Sequence, residues 1–506
     1  MRSRRGRRAV SVCALAATMA GCSVGPDFHP PKPPEVTRYT NPPPPAETAS
    51  ADVPGGGSQR LVEGRDVPAE WWGLFRCEAL DALVRRALSD SPRLVQVQAK
   101  LSHAQQDLVA RRGATQIPKI DAGLSANRVD VSSGSFENTP QVPVQLFPLS
   151  LYAATVRVSY TLDLFGKSRR ELEALRATVE YEQFEVEAAR LMLAGNVVTT
   201  AIEEASLREQ VEATGEIISL EARALEIVER LEQIGGVPRL DVVNQRAEIA
   251  RTRGTLPVLE RRLERARHRL AVYLGALPGE AELPEIRLAD IRLPDELPVS
   301  LPSELARRRP DIRAAEALLH EASARVGVAT ASLYPQITLS GTAGSLTTAI
   351  GNLLSGGTGF ALLGASLAQP LFHGGQLRAE KRAAVAAYEQ AGGAYREVVL
   401  EGFRDVADTL SALDADARSL HERAEASSLA RSAFEIASKR YDAGGVSLLE
   451  KLDAERLMRS ASLEQIDAVA DRLADSAALF QALGGGWWAE PEDRTVAAQA
   501  PPPPAP

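Results

Sequence analysis

Two acidic side chains, Glu450 and Asp453, lie just beyond a pair of glycines near the C-terminal end of the chain. The sequence Gly444-Gly445-Val446 predicts a turn, and the apolar spacing after it predicts a helix with both acids near its first turn. A carboxylate at a helix N-terminus stabilises the helix by about 0.3–1 kcal/mol through the helix dipole. From these residues alone, helix stabilisation is the simplest interpretation of both acids.

A second corner of the same kind lies about two hundred residues earlier. Gly235-Gly236-Val237 precedes Asp241, in the register of Glu450, and Asn244, in the register of Asp453. Other matched sequences keep the same order, namely Ser91-Pro92 with Arg309-Pro310, Pro118-Lys-Ile with Pro335-Gln-Ile, and Tyr181-Glu-Gln with Tyr388-Glu-Gln. Repeated order at matched spacing indicates an internal duplication. We predict two repeats, residues 67–277 and 303–488, joined by a proline-rich linker at 278–302.

The sequence contains no other pattern typical of a catalytic or metal-binding site. The six histidines are scattered without the spacing of metal ligands. The chain has no serine nucleophile elbow, phosphate-binding loop or His-Glu-x-x-His sequence. We therefore predict a protein that is not an enzyme and that needs no metal or cofactor.

The first residues indicate export. Five arginines, an apolar run from Ala9 to Ala20 and small residues before Cys22 are typical of a signal peptide at residues 1–21. The apolar run is too short to span a bilayer, which argues against an N-terminal membrane helix. Ala20-Gly21-Cys22 resembles the bacterial lipobox, which implies that Cys22 is acylated. Removing the signal takes five arginines and no acid from a net charge of −8, and the resulting −13 disfavours nucleic-acid binding.

Composition also defines the two ends of the mature chain. Residues 26–60 are rich in proline, glycine, serine and threonine and have no apolar period, so we predict that 22–66 form a lipidated, extended tether. The proline-rich tail at 489–506 is predicted to be disordered. Cys77 is the single thiol left besides Cys22, so no intrachain disulfide is expected.

Four segments have the alternating period of strands, at about 119–131, 149–164, 335–346 and 359–372. Strands of roughly ten residues can cross a membrane when tilted by about 45°. Their period fits soluble hairpins equally well. An open four-stranded sheet cannot enter lipid with unpaired edges, so membrane insertion would require strands from other chains.

Long helices are predicted to follow each strand pair. The segment from Gly166 to Pro238 has no internal proline and would form a helix on the order of 100 Å long. Apolar residues step by three and four along the later helices, which predicts coiling about a common axis: Phe403, Val406, Leu410, Leu413, Ala417, Leu420, Leu463, Ile466, Ala470, Leu473, Ala477 and Phe480. Gly254 and Pro257 are predicted to kink or break the helix after the first corner.

The opening and closing sequences resemble a known family. Trp71-Trp72, Phe75, Ser91-Pro92 and the closing Gly484-Gly-Gly-Trp-Trp488 are similar to those of the TolC family of outer-membrane efflux factors, in the lipoprotein branch typified by OprM and NodT. Cys77 departs from the family pattern, which usually has a polar or acidic residue there. The resemblance implies a mainly α fold and a homotrimer. Four strands per chain would form one twelve-stranded transmembrane β-barrel, continued by a long periplasmic α-helical barrel.

The resemblance also implies a function. Members are passive exit ducts of tripartite efflux pumps, which receive substrate from an inner-membrane RND-type transporter and a periplasmic adaptor. Leu449, Glu450 and Asp453, with Asp241 and Asn244 in the first repeat, match residues that line the periplasmic aperture. The corners at Gly235, Gly236, Gly444 and Gly445 would contact the adaptor. A non-conducting periplasmic coiled-coil scaffold or adaptor is the alternative.

Overall fold

The computed structural model describes residues 23–129 and 149–489. The predicted signal peptide, Cys22 and almost all of the predicted tail lie outside these ranges. The described residues form two compact units, one of residues 23–30, 101–129, 149–182 and 315–394, the other of residues 31–100, 183–314 and 395–489.

The elements follow the duplicated helix-strand-strand-helix plan that the sequence predicted. A short strand, β1 (Arg60–Glu63), precedes the repeats, and a 3-10 turn (Trp71–Phe75) lies at the start of the first repeat. The first repeat contains α1 (Glu78–Asp90), α2 (Pro92–Gln116), β2 (Lys119–Val129), β3 (Leu149–Leu162), α3 (Lys167–Gln233) and α4 (Arg239–Tyr273). After β4 (Glu296–Val299), the second contains α5 (Pro302–Arg308), α6 (Pro310–Ala331), β5 (Gln336–Thr347), β6 (Gly359–Ala368), α7 (Gln376–Asp442) and α8 (Leu448–Ala482).

The long helices of the two repeats have matching lengths. Both α3 and α7 contain 67 residues, and both α4 and α8 contain 35. The predicted row of apolar residues along α7 is buried, with Val406, Leu410 and Leu420 at most 3% exposed. Within the described ranges, no helix combines the length and the apolar character needed to cross a membrane.

The break predicted at Gly254 and Pro257 is wrong, because α4 runs continuously from Arg239 to Tyr273, while the alternative of a kink stays a prediction. Proline inside a helix removes one hydrogen bond and costs about 3 kcal/mol. Here Pro257 and Arg253, whose carbonyl would have accepted that bond, both face solvent, so water can satisfy the carbonyl. Ile249 and Leu263 of the same helix are buried, and Leu263 packs against Leu207 of α3.

Strands β2, β3, β5 and β6 form one antiparallel sheet in that order. Lys119 pairs with Ser159, Tyr160 with Leu339, and Ser345 with Gly359. The strands end close to their predicted limits, with two physical differences. β3 stops at Leu162 because the next residue, Asp163, accepts the backbone N–H groups of Ser168 and Arg169 and caps α3. β6 stops at Ala368, two residues before Pro370, which cannot donate to a strand ladder.

The buried side chain of Arg309 joins the beginning of α6 to the C-terminal end of α8 and to the interior of α7. Its Nη1 donates to the carbonyl of Ala482 at 2.9 Å, and its Nη2 donates to Asp311 at 2.7 Å and Asp405 at 3.1 Å. Gly402 allows this approach, because a Cβ there would lie 3.2 Å from Arg309 Nε. The arginine therefore holds the end of α8 against α6 and α7.

Residues 31–66, here called the strap, correct the prediction of an extended tether. β1 pairs in parallel with β4, and Gln59 is fully buried, donating to the carbonyl of Pro294 at 3.1 Å. Fully buried Arg472 of α8 donates from Nη2 to Thr48 Oγ1 at 2.9 Å and to the carbonyl of Gly57 at 2.8 Å. Single polar side chains and backbone groups make these contacts, so the strap packs without an apolar period.

Three carboxyl groups lie near Arg472 between α7 and α8. Burial and the neighbouring Asp475 and Asp471 raise the pKa of Asp416 to about 7, and Asp416 shares a hydrogen bond with Asp475. One oxygen of Asp416 is buried without a hydrogen-bond partner. Burial also raises the pKa of Asp471 and lowers that of Arg472. Ionisation of Asp416 therefore opposes the packing of α7 on α8.

We expect Arg309→Met to destabilise the protein by about 1–3 kcal/mol, because the carbonyls of Ala482 and Gly402 lose their charged donor. Asp311 and Asp405 keep access to water, so they add no buried-charge penalty. Thermal midpoints of the purified protein measure the effect. Arg307→Met, at an exposed neighbour, is the control and should stay within about 0.5 kcal/mol. Equal thermal midpoints for Arg309→Met and Arg307→Met would contradict the role of Arg309 in holding α8 against α6 and α7.

Folding stability should depend on pH through Asp416. The pKa of Asp416 is higher in the folded protein than in the unfolded chain. Its contribution to folding stability is therefore fully present below about pH 4 and is lost as the pH rises through about 7. Asp416→Asn should flatten the pH dependence of the thermal midpoint over this window and be more stable than the parent protein above it. Asp414→Asn, whose parent residue pairs with Arg418 on the same helix, is the control. An unchanged slope in Asp416→Asn would contradict the assignment.

Candidate functional site

Both glycine corners have the same backbone geometry. Gly235 and Gly444 have positive φ angles of 74° and 72°, which a residue with a side chain rarely adopts. Gly445 donates to the carbonyl of Arg440 at 2.7 Å, and Gly236 donates to that of Leu231 at 2.7 Å. These are the hydrogen bonds of a Schellman helix end. No atom lies within 4 Å of a Cβ built at Gly235 or Gly444, so backbone conformation alone requires glycine there.

The second corner starts its helix with a capping box. Ser447 Oγ accepts the backbone N–H of Glu450 at 3.2 Å, and the Glu450 carboxylate accepts the N–H of Ser447 at 3.1 Å. Ser447 was not among the predicted site residues, although Ser-x-x-Glu before an apolar run is the sequence signal for a capping box. At the first corner the equivalent position is Pro238, which has no side-chain cap. The two corners therefore differ in how their second helices begin.

The remaining predicted aperture residues lie near the start of the helix that follows each corner, α8 or α4. Asp453 is 59% exposed and accepts a hydrogen bond from Arg456 at 3.0 Å. Leu449 is half-buried and packs against a small cluster that includes Leu220 and Leu452. In the first repeat, Asp241 and Asn244 are exposed on α4. Glu450 and Asp453 thus each have a partner within α8, and Leu449 joins α8 to α3.

Polar contacts that were not predicted from the sequence hold α3 and α8 together beyond the corners. Arg459 pairs with Glu216 at 2.7 Å, and Gln210 donates to Asp467 at 2.6 Å across 257 residues of sequence. Burial raises the pKa of Asp467. Contacts between residues this far apart leave no local pattern that sequence analysis could detect.

The four-stranded sheet has two chemically different faces. The face that carries Asp121 and Arg157, which pair across β2 and β3, is mostly polar, and on it Thr161 and Thr338 contact each other at 3.2 Å. The opposite face is apolar, and two of its side chains, Leu124 and Leu363, are 77% and 89% exposed. The following apolar residues share that face: Ile120, Leu124, Val156, Val158, Leu339, Leu363 and Leu367.

Such a sheet can contact lipid on one face and water on the other. In the described part of the chain, β2 and β6 are its two edges and neither pairs with a further strand. No cluster of three or more metal-ligating side chains occurs in residues 23–129 and 149–489.

Comparisons with known proteins agree with this geometry. The sequence pattern of a family described as outer membrane efflux protein matches residues 83–276 and 301–485. The chain is 30% identical over 453 residues to the pyoverdine export outer membrane protein OpmQ of Pseudomonas putida, covering 89% of this chain and 96% of that protein. It is 28% identical over 485 residues to the toluene efflux pump outer membrane protein TtgF of the same species, covering 94% and 96%.

Solved structures show the same fold. The outer-membrane channel OprN superposes with a TM-score of 0.78 at 28% identity, over 92% of this chain and 100% of that channel. The open state of the MtrE outer membrane channel of Neisseria gonorrhoeae gives a TM-score of 0.75 at 25% identity, over 92% and 99%. Because the family pattern covers both repeats, the chain belongs to the outer membrane efflux protein family.

Proposed function

We propose that this protein is the outer-membrane exit channel of a tripartite efflux pump and passively conducts substrates out of the cell. The observation that carries the proposal is the two-faced sheet with two open edges, continued by helices of 67 residues. Three chains, each giving four strands, would close the sheet into a twelve-stranded barrel and leave no edge in lipid. The long helices would extend the channel into the periplasm.

The channel supplies no catalytic step and no energy. An inner-membrane RND-type transporter and a periplasmic adaptor would deliver the substrate, and the adaptor would contact the corners at Gly235, Gly236, Gly444 and Gly445. The relatives are named for different cargoes, pyoverdine and toluene. Such a difference in transported substrate is expected of passive channels, because the pump selects the substrate. Acylation of Cys22 would anchor each chain in the outer membrane in addition to the barrel.

Bilayer conductance tests the channel directly. The purified mature protein should migrate as a heat-modifiable trimer from outer-membrane fractions and should produce ion conductance in planar bilayers. Co-purification of an adaptor and an inner-membrane transporter would identify the pump. A mature protein that is soluble and non-conducting would favour the periplasmic scaffold and overturn the proposal.

At the periplasmic end, Glu450, Asp453 and Leu449 are proposed to form the aperture, with Asp241 and Asn244 contributing less. Three copies of each acid around one axis would repel one another and attract cations. The capping box supports a structural role for Glu450 as well. The two roles can be separated, because glutamine at Glu450 removes the charge and can still accept the N–H of Ser447.

We expect Glu450→Gln with Asp453→Asn to raise bilayer conductance and to weaken cation preference, because the charge is lost while the helix cap is kept. Glu450→Ala with Asp453→Ala should give the same change and additionally loosen the start of α8. The matched control is Asp241→Asn with Asn244→Ala, at the equivalent positions of the first corner, which should change conductance less. Conductance and reversal potentials equal to those of the parent protein would reject the aperture assignment.

A further inference from the structure

The polar face of the four-stranded sheet, the face with Asp121 and Arg157, has its charged side chains in two neighbouring rows. Lys119 pairs with Ser159, which pairs with Ser340 of β5. Asp121, two residues after Lys119, pairs with Arg157. Because alternate residues of a strand share a face, the two rows lie side by side on the same face. Lys119 is the first residue of β2, so both rows lie at the end of the sheet that joins α2.

The rest of this face carries no charge in the strands that the structure describes. β5 and β6 contain no lysine, arginine, aspartate or glutamate. β2 and β3 contain one further charged residue, Arg128, which lies on the apolar face with Ile120. Two cations and one acid thus share the polar face, and each chain contributes a net charge of +1 to it.

A cavity of about 260 Å³ lies beside these rows, where the strands meet α2 and α3. Five charged side chains line it: Arg111, Lys119, Asp163, Lys167 and Glu171. Glu171 binds Arg111, and Asp163 pairs with Arg169 at 3.4 Å. Among the residues that the structure describes, Lys119 and Lys167 have no ion-pair partner. The uncompensated charge at this end of the sheet is therefore positive.

The proposed barrel is narrow enough for these charges to act on a passing ion. Twelve strands spaced by about 4.8 Å and tilted by about 40° enclose a barrel of roughly 12 Å radius. The Debye length is about 10 Å at 0.1 M salt and about 30 Å at 0.01 M. Charges on the inner wall therefore act on ions at the axis at low salt and are screened near 1 M.

We infer that Lys119 and Arg157, partly offset by Asp121, form a positively charged ring that gives the barrel a preference for anions. The inference rests on the proposed channel, in which the apolar face contacts lipid and the polar face lines the lumen. Rings of arginine or lysine favour anions in pores, just as rings of acids favour cations. Three chains, each contributing +1, would give the ring a net charge of +3.

The ring would act separately from the acids of the proposed aperture. α3 begins beside the ring, at Lys167, and ends at Gln233, just before the first corner. A helix of 67 residues is about 100 Å long, roughly ten times the Debye length at 0.1 M salt. The channel would therefore contain one section that favours anions and another that favours cations.

Thiol modification measures the charge of the ring without requiring conductance. Ser340→Cys places an exposed reporter in the row of Lys119, and the parent protein, whose Cys77 is buried, gives the background rate. The protein is held in lipid nanodiscs at about 10 mM salt, and each rate is divided by that of the uncharged thiol mercaptoethanol. We expect the anionic sulfonatoethyl methanethiosulfonate to react faster than the cationic trimethylammonioethyl reagent. Lys119→Gln with Arg157→Gln should lower the ratio of the two rates by about threefold or more, and Asp121→Asn should raise it.

Arg128→Gln is the matched control, because Arg128 lies on the same strand as Lys119 but on the opposite face. It should leave the ratio of the two rates unchanged. The ring is overturned if Lys119→Gln with Arg157→Gln leaves the ratio as it was, or if Arg128→Gln lowers the ratio equally.

Reversal potentials in planar bilayers test the preference for anions itself. Glu450→Gln with Asp453→Asn serves as the starting protein, so that the barrel rather than the aperture dominates the selectivity. Across a tenfold gradient of potassium chloride, this protein should prefer chloride, and Lys119→Gln with Arg157→Gln should shift the reversal potential towards that of a cation-preferring channel. The shift should vanish near 1 M salt, where the Debye length is about 3 Å.

The two proposals fail in different ways. Conductance with reversal potentials that do not change on loss of Lys119 and Arg157 would reject the ring and leave the channel in place. Absence of any conductance would reject the channel, and with it the role of the ring in selectivity.

Discussion

A β-sheet can enter lipid only if every backbone donor and acceptor has a partner, and this constraint explains the organisation of the chain. Four strands, two from each repeat, leave β2 and β6 as edges in the described residues. In the proposed channel, strands from other chains would pair with these edges, while the apolar and the mostly polar face of the sheet would contact lipid and water. Since each strand pair continues into a 67-residue helix, closing the sheet would also gather the helices around the same axis.

Buried arginines connect elements that apolar packing alone would not align. Helices of this length present nearly uniform rows of alanine, leucine and valine, so apolar contact leaves their ends weakly specified. Arg309 binds the carbonyl at the end of α8, Arg472 binds the strap, and Arg170 binds the N-terminal segment. A guanidinium has several donors in fixed directions, so one side chain can hold two or three chain segments in a defined arrangement. The relative positions of the chain segments at the ends of the repeats are therefore specified by polar contacts.

The two corners show how a duplicated chain can acquire an asymmetric end. Their glycines make identical Schellman hydrogen bonds, so the reversal of the chain is conserved between the repeats. The following helices begin differently, with Pro238 at one corner and the capping box of Ser447 and Glu450 at the other. The second corner consequently holds its acids on a well-defined first turn. In the proposed aperture, Glu450 would therefore act from a helix start that its own capping box defines.

The sequence by itself determined the duplication, the strand and helix types and the glycine corners. Each of these features depends on residues that are close together along the chain. An apolar period of two predicts a strand, apolar steps of three and four predict a helix, and a φ angle that only glycine adopts readily predicts a corner. It also placed Leu449, Glu450 and Asp453 beside one corner. Tertiary structure decided the packing of the strap, the continuity of α4 through Pro257 and the contact of Asp27 with Arg170. Those depend on single polar side chains and on residues such as Thr48 and Arg472, 424 positions apart, so no local pattern encodes them.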